Sequence, residues 1–569
     1  MKRFKNYFGL MFLMCLVSSY AQQLDENVYD LAKYYPNIPN AKLIYVGENP
    51  MNEASVQVFE DGDIRIFHTD QRYSKKVMMQ ESLDNGYSYL ESRKVFSDSL
   101  ISQYPRKTLL DDKGNLHLLV FKEKVLAVYH SVSSDKGETW SPLKFVTNGR
   151  IGSIRAFIQT NSGRLIFAYH RHVVSKGTLP TGSCYTTAVY SDDYGKTWIE
   201  SDSRITAPVF NDYNGNNYGM VEPSIVQMKD GSIKMLSRTQ TGYLYESTSV
   251  NNGETWSEGV ASIFRSSNSP AHIFRLPNDD LVLTYCNTVD SDIGTFGKIY
   301  TNRDILTMAI SKDDGETWKG FREIVRMPSR NNQANIPRGD RGLSYPDLGV
   351  TKEGKIILVS GQGEYGGGRV KFLIDPTWLD ETTVYDDFTN GLEKWSCYSF
   401  VKLGLFPERE LGAKVIYDDT AINRKALLVN KEEGDLFADG AVLNFPMGKS
   451  GELTTRIKFN ENTKGISFSL TDHYRYPNDC GGDTSAMFSD QLKCQKTYFF
   501  KPNEWYNVKL VWDVDRRFCD MFVNNTRYKR LKMQNYTGTG ISYIRFRNLA
   551  KTENSSDSGV KIDWIKIQI

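Results

Sequence analysis

The chain has 569 residues, more than one ordinary domain holds, and its 70 lysines and arginines against 68 aspartates and glutamates leave a formal charge of +2. So even a balance gives nucleic acid no electrostatic footprint, and beyond the amino terminus no stretch has the roughly 18 uninterrupted apolar residues of a membrane helix. Counts of 44 Gly, 33 Tyr, 29 Phe and 9 Trp are those of a turn-rich, all-β protein or of a glycan binder with aromatic platforms.

Lys2 and Arg3 form a basic head, Tyr7 to Val17 an apolar run, and Ser19-Tyr20-Ala21 a small-x-small cleavage site. Residues 1–21 therefore read as a signal peptide cut after Ala21, which implies a periplasmic or secreted protein. Met14 is too large for the residue ahead of a lipid-bearing Cys15, so a soluble product is expected over a lipid-anchored one.

From Val56 onward one pattern recurs: a β-branched or aromatic strand, a tight two-residue turn and a second strand. It reads VQVFEDGDIRIFHT from Val56, TLLDDKGNLHLLVF from Thr108, FIQTNSGRLIFAYH from Phe157, SIVQMKDGSIKMLS from Ser224, IFRLPNDDLVLTYC from Ile273 and LGVTKEGKIILVSG from Leu348. Between the hairpins lies a second repeat: SLDNGYSY at Ser82, SSDKGETW at Ser133, SDDYGKTW at Ser191, SVNNGETW at Ser249 and SKDDGETW at Ser311, spaced 51, 58, 58 and 62 residues apart. Periods of this length imply a propeller or a solenoid, and no amphipathic helix of 10–15 residues separates the hairpins, which disfavours an α/β fold. Six hairpins and five boxes predict a six-bladed β-propeller over residues 22–384 whose last blade lacks a box. A catalytic group is needed once, whereas a turn staple is needed in every blade. The carboxylates of the boxes are therefore assigned to structure, with Ser and Asp bonding the turn backbone and Trp anchoring it.

After about residue 380 the boxes stop. DDFTNGLEKWSCYSF opens a run of alternating strands, including LTTRIKFNENTKGISFSL, WYNVKLVWDVD and GVKIDWIKIQI, read as a separate C-terminal β-sandwich over 385–569. Six cysteines survive cleavage; Cys480 and Cys494 bracket a loop that a disulfide would close, and none of the spacings is a zinc pattern. No metal or other cofactor is expected, and the chain is read as a monomer.

In each hairpin the turn points to one end of the propeller, so residues entering the first strand and leaving the second share the other rim. That rim collects Glu53, His68 and Asp70 from the first blade, Arg106 from the second, and Arg155, His170, Arg171 and His172 from the third. The fourth gives Glu222 and Arg238, the fifth His272, Asn287 and Arg303, and the sixth Arg341, Tyr345 and Gln362. Several arginines at one mouth suit an anion, and a guanidinium suits a carboxylate in bidentate fashion, so an acidic oligosaccharide or polysaccharide is the expected partner.

The boxes resemble the Asp-box, or BNR, repeats of the sialidase superfamily. VEPSIVQMKDGSIKMLSRT from Val221 is similar to the sialidase segment with a glutamate before one strand and a carboxylate-binding arginine after the next, which implies those roles for Glu222 and Arg238. TNRDILTMAISKDDGETW from Thr301 resembles the segment of another such arginine, here Arg303, and LSYPDLGV from Leu343 the place of the catalytic tyrosine, here Tyr345. The resemblance implies a glycoside hydrolase acting on a sialic acid-like or uronic acid sugar in polysaccharide degradation, with a phenol nucleophile activated by a paired base. The first blade departs from the pattern. Asn52 and Glu53 stand where an Arg-Ile-Pro motif is usual, Asp70 is the substitute offered for the acid, and Arg155 or Arg171 for the missing arginine. The C-terminal segment resembles concanavalin-like or laminin-G-like accessory domains, with Tyr474, Tyr476, Trp505 and Tyr506 as candidate sugar platforms. Two other readings stand beside this one. AYHRHVV, with His170, Arg171 and His172, suits a lyase on a uronate polymer such as ulvan, and the propeller is also compatible with glycan binding alone.

Overall fold

The computed structural model describes residues 42–47, 53–69, 76–96, 103–173, 183–208, 218–288, 303, 305–326, 343–361, 369–402, 408–410, 412–432, 437–479, 481–494, 499–550 and 559–569. The expected signal peptide, Asp70, Arg341, Gln362 and Cys480 lie outside the described residues.

Six antiparallel sheets follow one another between Leu43 and Ile374. Their innermost strands are Ser55–Val58, Gln103–Leu110, Phe157–Gln159, Val221–Gln227, His272–Arg275 and Asp347–Val350. Each touches the next in order, and the sixth touches the first, so the ring is closed. Apolar side chains fill the wedges between blades; Ile64 and Ile66 of blade 1 pack with Ile357, Val359 and Leu373 of blade 6. Each such side chain is worth about 1.5–3 kcal/mol when fully buried. Closure is also covalently staggered: Leu43–Gly47 pairs with Val370–Ile374 as the outer strand of blade 6.

The hairpin turns are longer than the two residues expected. In blade 1 Phe59 N donates to Asp63 O and Gly62 N to Phe59 O, a three-residue loop ending on a left-handed residue (Gly62, φ 99°). The same pair of bonds recurs from Asp111, Thr160, Met228, Leu276 and Thr351. A left-handed third loop residue, Gly in five blades and Asp279 (φ 71°) in the fifth, is the signature of a type I turn with a bulge rather than of a two-residue turn.

The boxes join the third and fourth strands of blades 1 to 5. In the second, Ser133 Oγ donates to Asp135 Oδ1 at 2.7 Å and accepts from Gly137 N at 2.8 Å, while Thr139 N donates to Asp135 at 2.9 Å and Trp140 Nε1 to Gly137 O at 3.0 Å. The bonds from Thr139 hold Asp135 down to about 2, so its charge is spent on the turn. Blade 6 has no box because its fourth strand comes from the other end of the chain, leaving no turn to staple.

Beyond Thr383 the strands form an eight-stranded and a five-stranded sheet around one apolar core that includes Trp395, Phe445, Phe468, Trp512 and Ile565. This sandwich rests on blades 4 and 5. Asn444 Nδ2 donates to Phe321 O at 3.1 Å and its Oδ1 accepts from Glu323 N at 3.0 Å; Asn287 Nδ2 donates to Asp472 O at 3.0 Å, and Arg265 lies 3.2 Å from Asp472. Asn287, expected at the rim, is thus occupied by the sandwich. The expected sugar platforms are also engaged otherwise. Tyr474 and Tyr506 are buried, Tyr476 packs on Tyr474 and Tyr398, and Arg456 and Lys458 stack on Trp505 at 4.4 and 4.7 Å. Cys494 is a buried free thiol.

Candidate functional site

Five of the expected residues meet at the entrance of the inner strands, above the propeller axis. Tyr345 Oη donates to Glu222 Oε1 at 2.8 Å, and Arg238 Nη1 donates to Glu222 Oε2 at 2.8 Å and to Tyr345 Oη at 3.3 Å. The guanidiniums of Arg155 and Arg303 sit 5.3 and 5.5 Å from the centre of the Tyr345 ring. Glu222 and Tyr345 both adopt left-handed backbone, φ 50° and 58°, which costs an ordinary residue about 1–2 kcal/mol and aims both side chains at the axis.

Electrostatics divide the pair. Burial works to raise Glu222, but the Arg238 charge and the bonds from Arg238 and Tyr345 hold it down to about 2. Burial, reinforced by the Glu222 charge, pushes the Tyr345 phenol well above its ordinary value. The resting pair is therefore carboxylate and neutral phenol, joined by a charge-assisted hydrogen bond along which one proton can pass.

His170 stands beside the pair: its Nδ1 accepts from Glu222 N at 3.0 Å, and burial lowers its pKa to about 3. It fixes the backbone on which Glu222 is carried. His172, two residues on and on the same strand face, lies 5.1 Å from it ring to ring and 3.3 Å from Cys184 Sγ. His170, His172 and Cys184 are close enough to suggest a metal centre, with donor atoms within 4.8 Å of one another. His170 is engaged otherwise, because its Nδ1 accepts the Glu222 N–H and the neutral ring then carries its proton on Nε2.

Arg171 is not brought to the site. Strand alternation turns it away from His170 and His172, and its Nη2 donates to Tyr169 Oη at 2.8 Å and Glu200 Oε2 at 3.0 Å. His272 lies one layer below the pair, Nδ1 3.0 Å from Asp347 Oδ1, in a buried axial cluster with Lys107; burial lowers it to about 4. Below this cluster a cavity of about 890 Å³ follows the axis toward the opposite face. Sequence reading passed over Asn268 and Ser269, which hold the arginines: Arg238 Nε donates to Asn268 Oδ1 at 2.6 Å and Arg303 Nε to Ser269 Oγ at 2.7 Å. Their signal was the polar run SSNSP, residues 266–270, directly ahead of an inner strand.

Residues 107–358 match the family model described as a BNR repeat-like domain. Two curated relatives cover parts of the chain: an anhydrosialidase of Macrobdella decora, 33% identical over 141 residues, and a sialidase of Micromonospora viridifaciens, 26% identical over 256 residues. The matched propeller region is similar to members of the sialidase superfamily.

This similarity is carried by part of each protein only: the matches take in 22% and 40% of this chain, and 16% and 34% of the relatives' own lengths. Among solved structures, a protein of unknown function from Dyadobacter fermentans is similar with TM-score 0.42 and 16% identity, covering 59% of this chain and 97% of that one. Trypanosoma rangeli sialidase in complex with sialic acid is similar with TM-score 0.38 and 14% identity, covering 92% and 91%.

Proposed function

We propose that the protein is an exported glycoside hydrolase that cleaves an acidic glycan with Tyr345 as nucleophile and Glu222 as its base. The observation that carries this reading is the buried contact of 2.8 Å between Tyr345 Oη and Glu222 Oε1, with Arg238 on the same carboxylate. As Oη attacks the anomeric carbon its proton passes to Glu222, the glycosidic C–O bond breaks, and the leaving oxygen takes up a proton from solvent. Water then attacks the tyrosyl glycoside and releases one proton to solvent, while the phenolate leaves and takes back its proton from Glu222. A neutral phenol approaches an anomeric centre that bears a carboxylate with less repulsion than Asp would. Arg155, Arg238 and Arg303 are the groups that would hold that carboxylate. The names of the two curated relatives support a sialic acid-like sugar, and the apolar run at residues 7–17 supports export.

The test incubates the purified protein with sialylated, uronate and sulfated glycans while reducing ends and ultraviolet absorbance are recorded together. New reducing ends without absorbance support hydrolysis. Absorbance from an unsaturated product indicates a lyase, and binding without either signal a non-catalytic module.

A further inference from the structure

The propeller repeats its backbone six times, so residues can be compared by their distance from the turn that opens each hairpin. Six positions ahead of the turns at Phe59, Met228 and Thr351 stand Glu53, Glu222 and Tyr345. All three are non-glycine residues in left-handed backbone, φ 56°, 50° and 58°. The corresponding residues of blades 2, 3 and 5 are Pro105, Ile154 and Pro270, without a positive φ. Glu53 therefore shares the placement and the strain of the Tyr345–Glu222 pair. It is near enough to Tyr345 for its charge to help raise the phenol, after burial and the charge of Glu222.

Its surroundings differ from those of Glu222. Arg106 Nη1 donates to Glu53 Oε2 at 2.8 Å, and the Arg106 guanidinium is itself seated 5.0 Å over the Phe121 ring. Among the described residues no donor meets Oε1, and the side chain is 31% exposed, against 8% for Glu222. With Oε2 held by the guanidinium, Oε1 is the oxygen left to accept a hydrogen bond from a bound molecule.

We propose that Glu53 is a specificity-determining residue of the site, accepting a hydrogen bond through Oε1 from a hydroxyl of the bound sugar. The inference rests on the glycoside-hydrolase reading above and sharpens its substrate class. The sugar turns its anionic group toward Arg155 and Arg303 and an uncharged, hydroxyl-bearing edge toward blades 1 and 2, where a second carboxylate or a sulfate meets Glu53 and is rejected. A buried or half-buried acceptor left without its hydroxyl partner discriminates strongly against the analogue that lacks it.

The test uses the full chain in two measurements. Turnover of the 4-methylumbelliferyl glycosides of N-acetylneuraminic, glucuronic and galacturonic acid is compared between the wild type and Tyr345→Phe. Binding of the methyl glycosides and their monodeoxy analogues is measured calorimetrically on the Tyr345→Phe chain, with and without Glu53→Ala. For the sugar that binds best, one monodeoxy analogue should bind about tenfold or more weakly when Glu53 is present and no differently from its parent in the Glu53→Ala chain, with an unchanged melting temperature. Equal discrimination with and without Glu53 overturns the proposal. Turnover that survives Tyr345→Phe overturns the hydrolase reading instead, and no binding of any of the three sugars overturns both.

Discussion

At the scale of single residues, burial and charge act in opposite directions on the two neighbouring groups Glu222 and Tyr345. Tyr345→Phe keeps the ring between Arg155 and Arg303 but removes the Oη that Glu222 and Arg238 address. On the proposed mechanism this loss of the nucleophile should lower kcat by about 10³-fold or more with little change in KM. Glu222→Gln removes the proposed base and should cost about 10²–10⁴-fold, and since Glu222 is held down to about 2, the wild-type rate should show no acid limb from this group above pH 4. A kcat–pH profile with a Glu222-dependent break near neutrality would refute that assignment.

These residues were legible because each stands where a strand enters or leaves a hairpin, and hairpins are short-range features of a sequence. What the sequence left hidden depends on contacts between blades. Asn268 and Ser269 support arginines 30 and 34 residues distant, and the Lys107–Asp347 ion pair joins residues 240 apart. No local pattern encodes such pairs. Arg171 shows a different failure: it stands between His170 and His172 on one strand, but a single step along a strand reverses the face, and Arg171 bonds Tyr169 and Glu200 instead.

At the scale of elements, the box and the hairpin turn divide their tasks between the two ends of each blade. The boxes spend their carboxylates on local backbone, so altering one should change stability and leave chemistry alone. Ser133→Ala removes the donor to Asp135 and the acceptor for Gly137 N, two bonds of 2.7 and 2.8 Å. The expected loss is about 1–3 kcal/mol, seen as a lower urea midpoint with kcat unchanged. A fall in kcat without a fall in midpoint would mean the box takes part in catalysis after all. The repeat was also what made the architecture readable, with the turn length as the one detail that composition alone misjudged.

At the scale of the whole molecule, buried neutral histidines tie stability to pH. Burial lowers His130 and His170 to about 3, and His272 and His473 to about 4. In the unfolded chain a histidine titrates near 6.5, so these groups bind more protons when unfolded. Their contribution is fully present above about pH 6.5 and is lost as pH falls toward 4, at up to about 1.4 kcal/mol per pH unit for each. Melting temperature should therefore decline steadily from pH 6.5 to 4.5. A flat profile over that interval would show that the four imidazoles already carry protons in the folded state.

The outer strand Leu43–Gly47 also decides how the ring yields to force. Leu43 faces Ile374, and Asp375 N donates to Lys42 O at 2.7 Å, so the chain enters and leaves the propeller at the same end of one antiparallel pair. Tension applied between residues 42 and 375 would fall on a single ladder bond at a time, peeling the clasp like a zipper instead of shearing all its bonds together. In a single-molecule pulling trace the clasp should open first and at low force, before any blade extends. The seam that makes the ring cooperative at equilibrium is thus its weakest point under mechanical load.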